Sequence, residues 1–128
     1  MKKIDLVILA GGRGTRLGTL TKKVPKPLVK INGIPFIQHL INYYSKFDFD
    51  NIYIIAGYKG ELIKKKFHNK KFNLVKVICY VEKKRKDTGG ELYELRNKFL
   101  NDFILVNGDS FINVNLQKFF EKKKINDN

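Results

Sequence analysis

IDLVILAGGRGTRLG, Ile4 to Gly18, is the stretch that decides the fold. Its first seven residues, Ile4 to Ala10, form a short and nearly continuous apolar run. That is the pattern of a strand covered on both faces. Gly11, Gly12, Gly14 and Gly18 follow at once, with Arg13 and Arg16 among them. A buried strand running into a glycine-rich loop lets a ligand approach the backbone closely. Gly11, Gly12 and Gly14 can offer N–H groups to an anion with no Cβ in the way. Arg16 adds a planar fork that matches phosphate oxygens. The alternative is a flexible glycine turn leading into a solvated basic stretch.

Two familiar phosphate templates do not fit this loop. The dinucleotide fingerprint needs a third glycine where Leu17 stands, and no glycine here is followed by the Gly-Lys-Ser/Thr of an NTPase phosphate loop. Further on, Pro25 and Pro27 flank Lys26 and keep the backbone around it non-helical, so that the lysine is held in one direction. The N-terminus also has the look of a secretory signal, with two lysines before an apolar run. Asp5 interrupts it, and Leu6 to Ala10 is too short for a signal core or a membrane span. The expectation is a first strand in a cytoplasmic protein without membrane association.

The rest of the chain repeats the alternation of strand and helix. Asn32-Gly33 marks a turn, and Pro35 suits a first helical position. Phe36, Ile37, Leu40, Ile41 and Tyr44 then follow helical spacing. Asn51 to Gly57 reads as a second buried strand, and Glu61 to Phe67 as a short helix with Leu62, Ile63 and Phe67 on one side. Leu74 to Tyr80 reads as a third strand. Thr88 to Phe99 reads as a helix, opened by a capping box of Thr88 and Glu91. Asp102 to Asp109 is a fourth strand, and an amphipathic segment starts near Asn115. The fold class is therefore α/β: a Rossmann-like, doubly wound, mostly parallel sheet with helices on both faces. At 128 residues it is one domain. Ligands of such sheets sit beyond the carboxyl ends of the strands. That rule gathers the loops Gly11 to Lys26, Glu82 to Gly90 and Gly108 to Asn113.

The net charge of +14 fits nucleic acid, a membrane surface or a small polyanion. The lysines are scattered or lie in solvated runs such as Lys64-Lys65-Lys66, without the aromatic interleaving of an RNA-binding module. This argues against nucleic acid as the main partner. The single cysteine, Cys79, excludes an internal disulfide. His39, inside a helix, and His68, behind a lysine run, read as structural or solvated.

Taken together, LAGGRGTRL, Pro25-Lys26-Pro27, Asn32-Gly33-Ile34-Pro35, Gly57-Tyr58-Lys59, Thr88-Gly89-Gly90 and LVNGDSFINVNL resemble the signature of the sugar-nucleotide pyrophosphorylases. These nucleotidyltransferases join a nucleoside triphosphate to a sugar 1-phosphate, releasing pyrophosphate. Within the family, the Thr-Gly-Gly and Gly-Asp-Ser-Phe segments are most similar to the guanylyltransferases acting on heptose 1-phosphate. The resemblance implies roles at matching positions. Leu9, Ala10, Gly11 and Gly12 would lie against base and ribose, with Thr88 and Gly89 also in the nucleotide site. Gly14, Thr15 and Arg16 would grip the β- and γ-phosphates, Lys26 would reach the α-phosphate, and Asp109 would hold Mg²⁺. Arg16 and Lys26 are thus the expected catalytic residues. A carboxylate at a strand end, in a site crowded with phosphates, is an ordinary Mg²⁺ ligand.

The attacking sugar phosphate is already an anion, so the implied in-line displacement needs positioning and charge neutralisation rather than a general base. Glu82 stands where the family reads the base. A carboxylate there accepts from N1–H and N2–H₂ of guanine, whereas uracil and thymine offer one donor beside repelling oxygens. GTP is therefore the expected triphosphate, with a solvated Glu82 balancing the neighbouring lysines as the alternative. Asp87 and Glu91 depart from the family's usual glycine and small residue around Thr-Gly-Gly, and Ser110 replaces the usual threonine. Family members also continue well past the first metal aspartate, through further sugar contacts, a second lysine and a second metal aspartate. The fold is therefore expected to be truncated relative to the family's. The expected activity serves cell-surface polysaccharide synthesis. The alternative is a truncated or split-gene nucleotide-binding remnant, inactive on its own. A homo-oligomer or a complementing C-terminal half both remain open as partners.

Overall fold

A computed structural model describes residues 3–11, 24–82, 96–99, 101–108 and 121–122. Strand β1 (Ile4–Ala10) lies inside a five-stranded sheet, and its alternate side chains enter two different cores. Leu6, Ile8 and Ala10 join the larger core, while Val7 and Leu9 join a smaller one on the opposite face. A strand that must be apolar on both faces has no room for alternation, which accounts for the unbroken run of the sequence.

The other strands are β2 (Lys30–Ile31), β3 (Ile34–Pro35), β4 (Asn51–Ala56), β5 (Lys71–Phe72), β6 (Val75–Val81) and β7 (Asp102–Asn107). Their order across the main sheet is β5-β6-β4-β1-β7. β1 pairs parallel with both β4 and β7, β4 pairs parallel with β6, and only the short β5 runs antiparallel. The chain thus moves outward from β1 to β4 and β6, then returns to β7 on the other side of β1. That reversal is the switch point of a doubly wound sheet, where ligand crevices open at the carboxyl ends.

Helix α1 (Phe36–Tyr44) links β1 to β4 and buries Ile37, Leu40, Ile41 and Tyr44 against the larger core. Their i, i+3, i+4, i+7 spacing forms one apolar stripe. Cutting any one of these aliphatic side chains to alanine costs about 2–5 kcal/mol. Helix α2 (Gly60–Phe67) links β4 to β6 and buries Ile63 and Phe67 on the same side of the sheet. Leu62, expected on that buried side, is 40% exposed. It is adjacent in sequence to Ile63 and so lies about 100° away around the helix.

On the opposite face Phe99 packs against Tyr53, with ring centroids 5.0 Å apart and edge-on. Of the helix expected over Thr88 to Phe99, residues 88–95 lie outside the described residues. Its end, Arg96–Lys98, is a 3-10 turn.

Three local features differ from the sequence reading. Pro35 caps α1 instead of occupying its first turn, with extended backbone at φ −54° and ψ 140°. Asn32 and Gly33, at φ 53° and 79°, form a two-residue turn, as expected, but it closes a small hairpin of β2 on β3. Leu74 lies before the third main strand, in a second two-residue turn. Asn73 and Leu74 adopt φ 47° and 71° there and join β5 to β6.

Candidate functional site

The carboxyl ends of β1, β4 and β6 are in register: Ala10 sits beside Ala56, and Ala56 beside Val81. One residue further, these strands end in Gly11, Gly57 and Glu82. The ladder extends into that row, because Glu82 N–H donates to the Ala56 carbonyl at 2.7 Å. On the other flank Gly108 N–H donates to the Leu9 carbonyl at 2.7 Å, fastening the end of β7 to the end of β1. A Cβ at Gly108 would stand 2.9 Å from that same carbonyl oxygen, so the chain leaves β7 flush against β1.

Gly11 is the meeting point of the row. A Cβ built on it would lie 2.8 Å from Glu82 Oε1. The Glu82 carboxylate therefore rests directly over the Gly11 backbone, at the root of the glycine-rich loop. Gly57, its neighbour at the end of β4, presses on the same residue: a Cβ there would be 2.6 Å from the Gly11 carbonyl oxygen.

Lys26 belongs to a separate element, the 3-10 turn Lys26–Leu28. Pro25 enters it with extended backbone, and Leu28 N–H closes it on the Pro25 carbonyl at 2.9 Å. Pro27 and Leu28 are buried and Lys26 is half-buried. The backbone around Lys26 is therefore not non-helical throughout, as the sequence reading expected. Only Pro25 is extended, and Lys26 opens the 3-10 turn, because a proline is tolerated in a first helical turn, where its missing N–H has no partner to lose. The turn packs against α1.

Of the expected site residues, Leu9, Ala10, Gly11 and Glu82 are brought together at the strand ends. Gly12, Gly14, Thr15, Arg16, Thr88, Gly89 and Asp109 lie outside the described residues. Among the described residues no three His, Cys, Asp or Glu side chains are grouped to hold a metal. Gly57 entered the sequence reading only within the Gly57-Tyr58-Lys59 segment of the resemblance, with no role of its own. A glycine closing an apolar strand is the available signal, and it does not say what approaches.

The groups with displaced pKa values lie elsewhere. Asp5, almost fully buried near the amino-terminal end of the central strand β1, is raised by burial. It accepts Asn51 N–H at 3.0 Å and the amides of Asn51 and Asn101 at 3.3 and 3.4 Å, which partly offset that rise. Tyr53 is raised by burial and then by the Asp5 charge. Burial pushes the Cys79 thiol up to about 12. His68 Nδ1 accepts the Cys79 N–H at 3.0 Å, and His39 Nε2 meets the Ile31 carbonyl at 2.8 Å. Both histidines are therefore structural. Among the described residues no helix is long and apolar enough to cross a membrane.

A doubly wound sheet whose first strand feeds a glycine-rich loop at the switch point is a Rossmann-like α/β domain. The nucleotidyl transferase family model matches residues 6–128, and the chain belongs to that family. It is 34% identical over 115 residues to a D-glycero-alpha-D-manno-heptose 1-phosphate guanylyltransferase of Campylobacter jejuni, covering 90% of this chain and 52% of that protein. The enzyme of the same name from Aneurinibacillus thermoaerophilus is 30% identical, covering 93% of this chain and 52% of that one. The crystal structure of HddC from Yersinia pseudotuberculosis complexed with GMP-PN superposes with a TM-score of 0.77 at 32% identity. That match covers 96% of this chain and 54% of the other. The chain thus spans about half the length of these relatives.

Proposed function

We propose that this chain carries the nucleotide half of a guanylyltransferase site, which joins GTP to a sugar 1-phosphate and releases pyrophosphate. The observation that carries the reading is the Glu82 carboxylate lying over Gly11. In this reading that carboxylate accepts from the two donor groups of guanine, at the start of a loop suited to phosphates. In this reading Leu9, Ala10, Gly11 and Gly12 face base and ribose, with Thr88 and Gly89 completing that side. Gly14, Thr15 and Arg16 hold the β- and γ-phosphates.

Lys26, on its proline-braced turn, neutralises charge at the α-phosphorus. A sugar phosphate oxygen forms the new bond to that phosphorus as the bond to the bridging oxygen breaks, and the electron pair leaves with pyrophosphate. No proton has to move. Asp109 follows Gly108, which is fastened to the end of β1. In this reading it holds Mg²⁺, which supplies charge neutralisation on the phosphates. Heptose 1-phosphate is the sugar substrate favoured by the similarity to the Campylobacter protein. The setting is then cytoplasmic synthesis of cell-surface polysaccharide.

A second reading of the same site is nucleotide binding without transfer. Titration calorimetry with GTP, UTP, CTP and dTTP in Mg²⁺ tests binding. A pyrophosphate-release assay with heptose and mannose 1-phosphates then separates the two readings. Glu82→Gln replaces one acceptor oxygen by a donor and should reduce the preference for GTP over UTP about tenfold or more, given the 1–3 kcal/mol left in a mispaired buried group. Unchanged selectivity removes Glu82 from base reading.

A further inference from the structure

The ends of β6, β4 and β1 lie side by side, with Gly57 between Glu82 and Gly11. A Cβ at Gly57 would stand 2.6 Å from the Gly11 oxygen, 2.9 Å from its Cα and 3.1 Å from its carbonyl carbon. All three are backbone atoms, and no side-chain rotation relieves them. Gly57 has no left-handed φ, so glycine is required there for space and not for conformation. Gly57 is also held from its own side, since its carbonyl accepts Gly60 N–H at 2.7 Å at the start of α2. At Gly11 the neighbour is different: its substituted Cβ would meet Glu82 Oε1 at 2.8 Å, the far end of a flexible side chain.

We propose that Gly57 is a positioning residue for nucleotide recognition. By contributing no side chain, it sets how closely the first peptide of the glycine-rich loop lies on the sheet, and so where that peptide meets the Glu82 carboxylate. This rests on the reading of Gly11 and Glu82 as part of a nucleotide site. Bringing the Cβ at position 57 to an ordinary contact requires the Gly11 oxygen to retreat by about 0.8 Å, from 2.6 to 3.4 Å. The tether to Gly60 and the β4 ladder hold Gly57, so the displacement falls on Gly11, the residue that opens the loop. Donor groups of the base left mispaired by such a shift weaken binding by about fivefold to a hundredfold.

The test compares three variants of the chain by titration calorimetry with GTP and UTP in Mg²⁺, after circular dichroism establishes that each is folded. Gly57→Ala should bind GTP at least about fivefold more weakly and lose part of its preference over UTP. Gly60→Ala is the control, because its Cβ would meet Ala56 Cβ at 2.9 Å and Val81 Cγ1 at 3.0 Å, in the same turn but away from Gly11. It should shift thermal stability and leave GTP affinity and base preference unchanged. Gly11→Ala tests the contact between Gly11 and Glu82 and does not depend on Gly57→Ala folding. Its clash is relieved by moving Glu82, so it should stay folded and lose guanine preference.

Folded Gly57→Ala with wild-type GTP affinity overturns the proposal, as does a Gly60→Ala variant equally impaired in GTP binding. If Gly57→Ala does not fold, unchanged guanine preference in Gly11→Ala overturns it. A wild-type chain that binds no nucleoside triphosphate instead removes the nucleotide-site reading itself, and the proposal with it.

Discussion

Leu74→Gly should stabilise the protein. Leu74 sits at φ 71° in the two-residue turn between β5 and β6, and its side chain is 89% exposed. A left-handed conformation costs a residue with a Cβ about 1–2 kcal/mol. At this exposure, burial returns almost nothing against that cost. Glycine removes the strain but loses about 0.5–1 kcal/mol through the greater freedom of the unfolded chain. The net gain is about 0.5–1 kcal/mol, or about 2–5 °C in the melting midpoint for a domain of this size. Asn73, at φ 47°, already suits its position, so the substitution completes the Asn-Gly pair that such turns favour. Urea unfolding followed by circular dichroism should show a higher midpoint at unchanged slope. Leu74→Ala keeps the strained backbone and should stay within about 0.5 kcal/mol of wild type. A Leu74→Gly midpoint at or below that of Leu74→Ala refutes the strain argument.

Three further outcomes are expected. Arg16→Ala should abolish triphosphate binding, and unchanged GTP affinity by calorimetry would count against the phosphate role of the loop. Asp5 has a folded-state pKa raised above 3.8, so between that value and the folded one the native state holds the proton that the unfolded chain has lost. Its contribution to stability is therefore greatest at the acid end and falls as pH rises through the folded-state value. Urea midpoints of wild type should accordingly gain on those of Asp5→Asn as pH is lowered from 7 to 4, and a constant difference would contradict the assignment. Cys79, buried and with its thiol at about 12, should resist a disulfide reagent at pH 8 until urea unfolds the chain. Reaction of the native protein at the rate of a free thiol would show that the β6 region opens.

Much of the fold was legible because its elements are carried by local periodicity. The buried strands at Ile4 and Asn51 start where the sequence reading starts them, as does the more exposed β7 at Asp102, and α1 follows its five apolar positions. Leu74 was misplaced because a leucine next to a valine reads as strand, while the turn that claims it is imposed by the pairing of Phe72 with Val75. Asp5 looked like a mere break in an apolar run. It is held by Asn51 and Asn101, partners 46 and 96 residues away that no local window connects to it. In the candidate site, the sequence identified Gly11 and Glu82 separately. Their closeness depends on strand register, as does the contact of Gly57 with Gly11.

The outer border of β6 has a consequence for how this sheet behaves among other copies of itself. Val77 N–H donates to the Lys70 carbonyl at 2.8 Å, Asn69 N–H returns to the Val77 carbonyl at 2.8 Å, and the Cys79 N–H is taken by the ring of His68. A foreign strand arriving at that border finds these groups already engaged and must displace an imidazole and a hairpin before it gains a hydrogen bond. The short β5 offers only two residues of edge in their place. The border is thus guarded against templated association, the hazard that an open parallel sheet otherwise carries.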